Sequence, residues 1–277
     1  MTEGMKTLRG EGGAMQQKRL DNSPIAYFVS RTGQAPWVLL IHAAFVHHGM
    51  FREQFAYFEG RYNLLAVDII GHGQSTDTRR GDTVERMSEW IAGILAAEGI
   101  ERAHIAGVSL GAVLAQDFAN RYPQAVRSLA CFGGYDVNHF DGRMRKENSA
   151  AQMRMMLKAM VSVKWFAEAN KKISACTPQA QDAFFEMNLR FPKKSFRFLA
   201  GLRRMVNRYE TGRRGYPLLI GCGELDLPMA QEAVKEWKSR EPGCTAVFLE
   251  HAGHCANMDA PEAFNRILEA FWKGAEG

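Results

Sequence analysis

Two periodicities alternate along the first half of the chain. Ile25–Ser30, Trp37–Ile41, Tyr62–Val67, His104–Gly107 and Arg127–Phe132 are short apolar runs of strand length. Trp37–Ile41 (WVLLI) is apolar throughout, as a strand covered on both faces must be. Between these runs, Met50–Phe58, a stretch from Thr83 to about Ala97, and Leu110–Arg121 carry helical spacing. Thr83 is placed to cap its helix with Glu85 and Arg86 in the first turn, and Pro123 stops the helix before it. From Gly134 to about Gly212 the alternation breaks. Apolar stripes there (Met153, Met156, Met160; Phe184, Phe185, Leu189; Phe196, Leu199, Leu202) predict helices and no strand. Strand character returns at Tyr216–Cys222, followed by a helix over Met229–Lys238 and a strand at Thr245–Leu249. Pro261 then opens an amphipathic helix through Trp272, proline being suited to a first turn. This order predicts an α/β fold: a mostly parallel central sheet covered by helices on both faces, with a helical insertion.

The 277 residues fit one large α/β domain, with 46% hydrophobic and 23% charged residues. The organisation read from the pattern is a polar, Gly-rich lead-in over 1–18, a core over 19–133 and 213–277, and an inserted unit over 134–212. The lead-in has no apolar signal core and no run approaches membrane-spanning length, so a cytoplasmic protein without a membrane span is expected. Five scattered cysteines without a Cys-x-x-Cys pair argue against a disulfide framework or a zinc site. Charge distribution is more informative. Tyr135–Gly215 holds 17 Lys and Arg against 7 Asp and Glu, while the rest holds 18 against 23, so a basic insertion sits in an acidic body.

The chemistry starts at Gly107-Val108-Ser109-Leu110-Gly111, between a strand and a helix. A serine on so sharp a turn holds strained torsions, and glycines two residues to either side let strand and helix approach without Cβ clashes. With 26 Gly and 11 Ser the pentapeptide arises by chance in roughly one such chain in ten, so its context carries the weight. A serine hydroxyl needs a base to take its proton and an acid to orient that base. Asp226 follows the turn Gly221-Cys222-Gly223-Glu224-Leu225, with Glu224 and Asp136 as alternatives. His254 ends His251-Ala252-Gly253-His254 after the last strand, with His251 as its alternative. Adjacent His47 and His48 read as a solvated loop, since no carboxylate stands at ligand spacing, and Gly71-x-Gly73 reads as a structural turn.

The order Ser109, Asp226, His254, together with Asp68-Ile69-Ile70-Gly71-His72-Gly73-Gln74-Ser75, resembles the α/β-hydrolase superfamily from about Ile25 to Trp272. That resemblance implies a nucleophile at Ser109, a general base at His254 and a supporting acid at Asp226. It implies an oxyanion hole of the Ala44 and Leu110 N–H groups, with Ala43 or Phe45 as alternatives to Ala44. The sequence departs from the family where His-Gly commonly follows the third strand: here it reads His42-Ala43-Ala44-Phe45. The insertion corresponds to a cap.

The expected activity is hydrolysis of a carboxylic ester, thioester or lactone through an acyl-enzyme, with no metal and no organic cofactor. Hydrolysis of a carbon–carbon bond beside a ketone, and a non-catalytic ligand receptor, are the alternatives. The basic pairs Lys193-Lys194, Arg203-Arg204 and Arg213-Arg214 read as a solvated face, as a dock for an anionic substrate or acidic acyl carrier protein, or as a contact for a membrane surface or nucleic acid. The small ester, with the carrier protein as an added partner, is the expectation; a nucleic-acid partner is not.

Overall fold

The computed structural model describes residues 15–140, 161–210 and 214–276. Eight strands form one sheet in the order β1-β2-β4-β3-β5-β6-β7-β8. They are β1 (Gln16–Arg19), β2 (Ala26–Ser30), β3 (Trp37–Ile41), β4 (Asn63–Val67), β5 (Ala103–Val108), β6 (Val126–Phe132), β7 (Leu218–Gly223) and β8 (Thr245–Leu249). β1 with β2 and β2 with β4 pair antiparallel, and every later pair is parallel. Parallel neighbours place the carboxyl ends of β3, β5, β6, β7 and β8 along one edge, where ligands bind in such sheets.

Side-chain alternation explains why the central runs are apolar throughout. In β3, Leu39 and Ile41 enter the core on one face while Val38 and Leu40 enter the other. Helices α2 (Met87–Ala97), α3 (Leu110–Arg121) and α7 (Pro228–Arg240) cover the first face with Leu95, Phe118 and Trp237. α1 (Arg52–Phe58) and α9 (Pro261–Gly274) cover the second with Phe58, Leu268 and Trp272.

Trp37–Ile41, Leu110–Arg121 and Thr245–Leu249 fold with the bounds the pattern predicts, and the other core elements shift by a residue or two or extend into short 3-10 turns. Two expectations need correction. Gln16–Lys18, read as lead-in, belong to β1, a four-residue polar edge strand with no alternation to betray it. Lys18 anchors it by an ion pair to Glu98 at 2.9 Å, beside Arg31 and Tyr27 on the same carboxylate. Thr83 precedes a 3-10 turn (Val84–Arg86), and its side chain does not cap it.

Between β6 and β7 lies the helical cap: α4 (Val163–Ser174), α5 (Pro178–Leu189), α6 (Phe196–Leu199) and the 3-10 turns Lys193–Ser195 and Ala200–Arg204. Ser162 and Thr177 start α4 and α5 by accepting from the N–H groups of Trp165 and Ala180. The Met153–Met160 stripe lies outside the described residues. Arg214, where the chain returns to the core, is fixed by hydrogen bonds of 2.8 to 3.1 Å to Glu241 of the α7 C-terminus.

Candidate active site

Ser109 stands between β5 and α3 with φ 54° and ψ −113°, a conformation that a non-glycine residue adopts only when its surroundings over-determine it. Those surroundings are backbone. A Cβ on Gly107 would collide with the Gly111 carbonyl, and one on Gly111 would collide with the Ile41 carbonyl of β3. The Ser109 N–H donates to Phe132 O of β6 at 2.7 Å, which ties the turn to the next strand.

After β7 the chain turns over Gly223, where a Cβ would strike the Ala252 carbonyl, so the loop carrying His254 can lie directly on it. Asp226, in that turn, is buried; its Oδ1 accepts from its neighbour Leu227 N–H at 2.7 Å. His254 Nδ1 lies 2.9 and 3.1 Å from the two Asp226 oxygens, and its Nε2 lies 2.8 Å from Ser109 Oγ. A carboxylate only accepts, so Nδ1 carries the proton and Nε2 is left to accept from the serine hydroxyl. Burial pushes the His254 pKa down, but the charge of Asp226 and its hydrogen bond push harder, and the net shift is upward from 6.5.

The alternative residues stand elsewhere. Glu224 accepts from the His251 N–H at 3.3 Å, Asp136 holds His139 and Arg240, and His251 is exposed with φ 55°. All three residues named from the sequence therefore meet at the carboxyl edge of the sheet.

The loop after β3 is placed by His42. Ile69 N–H donates to its Nε2 at 2.9 Å, so Nδ1 carries the proton and donates to Ala43 O at 2.7 Å. The His-Gly departure has a structural answer: the left-handed residue of this loop is Phe45, with φ 70°. Among the described residues neither the Ala44 nor the Leu110 N–H has a protein acceptor. Leu110 is the first residue of α3, where helical geometry leaves amides unpaired.

The sequence offered no signal for what lies above this loop. The Phe45 ring packs against Phe166, Phe191 and Phe196 of the cap, with centroids 5.0, 5.2 and 5.6 Å away. The structure also corrects the reading of His47 and His48: a carboxylate does reach them, Asp68, from the end of β4. Asp68 is already engaged, its Oδ1 accepting from His48 N–H and Nδ1–H at 2.8 and 2.9 Å and its Oδ2 from Gln74 N–H at 2.7 Å. Those bonds anchor the Gly71–Gly73 turn. The basic insertion is partly committed as well, Arg204 to Glu85 and Arg214 to Glu241.

The sheet order, the strained serine between strand and helix, and the cap between β6 and β7 define the α/β-hydrolase class. Residues 38–267 match the alpha/beta hydrolase family, and the chain belongs to it. It is 25% identical over 260 residues to RutD of Escherichia coli O44:H18, whose name assigns it to carbamate hydrolysis; the alignment covers 90% of this chain and 93% of that one. The fold resembles a thermophilic esterase from Thermogutta terrifontis, with a TM-score of 0.78 and 18% identity over 99% of this chain and 98% of that one. It also resembles the enol-lactonase from Burkholderia xenovorans LB400, with a TM-score of 0.73 and 18% identity over 93% and 99%. Among the described residues no helix is long and apolar enough to cross a membrane.

Proposed function

We propose that the chain is a serine hydrolase that cleaves a small carboxylic ester, thioester or lactone through an acyl-enzyme. The observation that carries this reading is the unbroken hydrogen-bonded line Ser109 Oγ, His254 Nε2, His254 Nδ1, Asp226. His254 takes the Ser109 proton as Oγ attacks the acyl carbon. Asp226 keeps the imidazole in the tautomer that can do so and stabilises the imidazolium. The Ala44 and Leu110 N–H groups receive the oxyanion, at the N-terminus of α3 where the helix dipole favours negative charge. His254 then protonates the leaving group, and water attacks the acyl-enzyme by the same route in reverse. Residues 19–133 and 213–277 supply this chemistry and residues 134–212 form the cap over it.

The half-buried Phe45 and Phe196 favour an apolar acyl group. The family relative named for carbamate hydrolysis supports including carbamates among the acyl substrates. Docking of an anionic or carrier-bound acyl group rests on the charge of the cap alone. With Arg204 and Arg214 committed to core carboxylates, Lys194 and Arg203 would serve it.

The decisive experiment combines a fluorophosphonate probe with a panel of p-nitrophenyl esters, a thioester, a lactone, a carbamate and a vinylogous diketone. Labelling at Ser109 with turnover of one of the acyl substrates is expected, and Ser109→Ala should abolish labelling and lower turnover by about 10⁴-fold or more. Turnover of the diketone alone would move the reading to carbon–carbon hydrolysis. An unlabelled protein that nevertheless binds a panel member would be a receptor.

A further inference from the structure

Outside the line of three, the most heavily engaged carboxylate near the site is Asp259, at the end of α8 (Ala256–Asp259). It belongs to the segment that carries His254 but faces the cap. Its Oδ1 accepts from Cys176 N–H at 3.0 Å, Thr177 N–H at 2.8 Å and the Thr177 hydroxyl at 2.9 Å. Its Oδ2 accepts from Cys176 N–H at 3.1 Å and from Gly253 N–H at 2.9 Å. Cys176 and Thr177 form the turn between cap helices α4 and α5. Two further bonds join the same segments: Cys255 N–H donates to Ser174 O at 2.7 Å, and the Cys176 thiol to His251 O at 3.2 Å.

The register of these bonds is informative. Residues 251, 253 and 255 each bond to the cap turn or to the carboxylate that holds it, while residue 254 sends its ring to Asp226 and Ser109. The loop is therefore gripped from the cap side at alternate residues, while between them Ala252 O accepts from Leu225 N–H at 2.9 Å and His254 turns its imidazole to the site. Gly253 is closely surrounded: a Cβ there would meet Asp259 Oδ2 at 3.1 Å and Cys176 N at 3.3 Å.

We propose that Asp259 is a positioning residue that locks the α4–α5 turn of the cap to the His254 loop, so that the imidazole is held in line only while the cap is seated. This rests on the reading of His254 as the general base. A carboxylate suits the task because it can accept from three backbone donors and a hydroxyl at once, whereas an amide would turn an N–H toward one of them. Displacement of a catalytic group by even about 1 Å costs on the order of 100-fold in rate.

The test is Asp259→Asn in the full chain, checked for folding by circular dichroism. Its kcat on whichever acyl substrate the wild type turns over should fall by about 10- to 100-fold with little change in KM. The downfield proton resonance of the His254 Nδ1–H bond to Asp226 should broaden or disappear. A purely structural role would lower Tm and leave that resonance sharp and kcat unchanged in the folded fraction, and this outcome overturns the proposal. In case the variant does not fold, hydrogen exchange on the wild type is the second arm. The amides of Gly253, Cys176 and Thr177 should open together, with one common protection that is lost in a single step; unrelated rates would show that cap turn and loop do not move as one. Neither the resonance nor the exchange measurement requires turnover, and wild-type labelling by the fluorophosphonate reports on the hydrolase reading separately.

Discussion

At the elbow around Ser109, backbone meets backbone: Gly107 against Gly111, Gly111 against Ile41, Gly223 against Ala252. The cap meets the core mostly through side chains instead, with backbone bonds such as Cys255 N–H to Ser174 O beside them. Phe166, Phe191 and Phe196 of the cap pack around Phe45 of the loop after β3, Arg204 reaches Glu85 of the core, and Asp259 reaches the α4–α5 turn. Where backbones touch, only one residue type fits, and no neighbour can relax to admit another. Side-chain contacts can be rebuilt by other residues of similar size or charge. The comparison separates a rigid floor, which sets the chemistry, from an exchangeable roof, which can vary the substrate without moving the nucleophile.

Substitutions at the floor should be the most damaging. Gly111→Ala drives a methyl into the Ile41 carbonyl, and a loss of more than about 4 kcal/mol is expected, read as failure to express a folded chain or as a collapsed Tm. A folded, stable variant would show that the backbone packing around Ser109 is not rigid.

pH probes the floor more gently. His254 must be neutral to accept the serine proton, and Asp226 holds its pKa above 6.5, so the acid limb of kcat/KM should have its midpoint above pH 6.5. Stability should follow a different pair. Burial pushes His42 down to about 3 and His72 down to about 4. Below pH 6.5 the unfolded chain binds protons at these positions that the folded chain refuses, so Tm should fall as pH drops from 7 toward 4. A Tm that rises over that interval would show that His42 and His72 do not control the pH dependence of stability.

The roof should respond least. Phe196→Ala removes one half-buried member of the aromatic cluster, worth about 0.5–1.5 kcal/mol for each ring pair lost. Its main effect should be a change in acyl-length preference across an ester series, with kcat for the shortest ester retained. Equal losses for all esters would instead place Phe196 in the support of the oxyanion loop.

The apolar runs, the glycines around Ser109 and the order serine, aspartate, histidine are local or ordinal facts, and they were legible in the linear chain. Strand and helix follow from side-chain periodicity, and an elbow between them needs particular residues at particular offsets. What could not be read depends on residues far apart. β1 has four polar residues and exists because β2 offers it an edge and Glu98 a partner for Lys18. Glu224 and Asp226 are two positions apart, and only the fold sends one toward His251 and the other toward His254. Asp68 reaches His48 across twenty residues, Phe45 meets phenylalanines more than a hundred residues away, and Asp259 finds the cap turn from 82 positions further along. Periodicity thus decided which segments form the sheet from β2 to β8 and where its nucleophile turn falls. Tertiary packing decided which carboxylates, rings and amides face one another, because those distances arise only when separate segments share one edge.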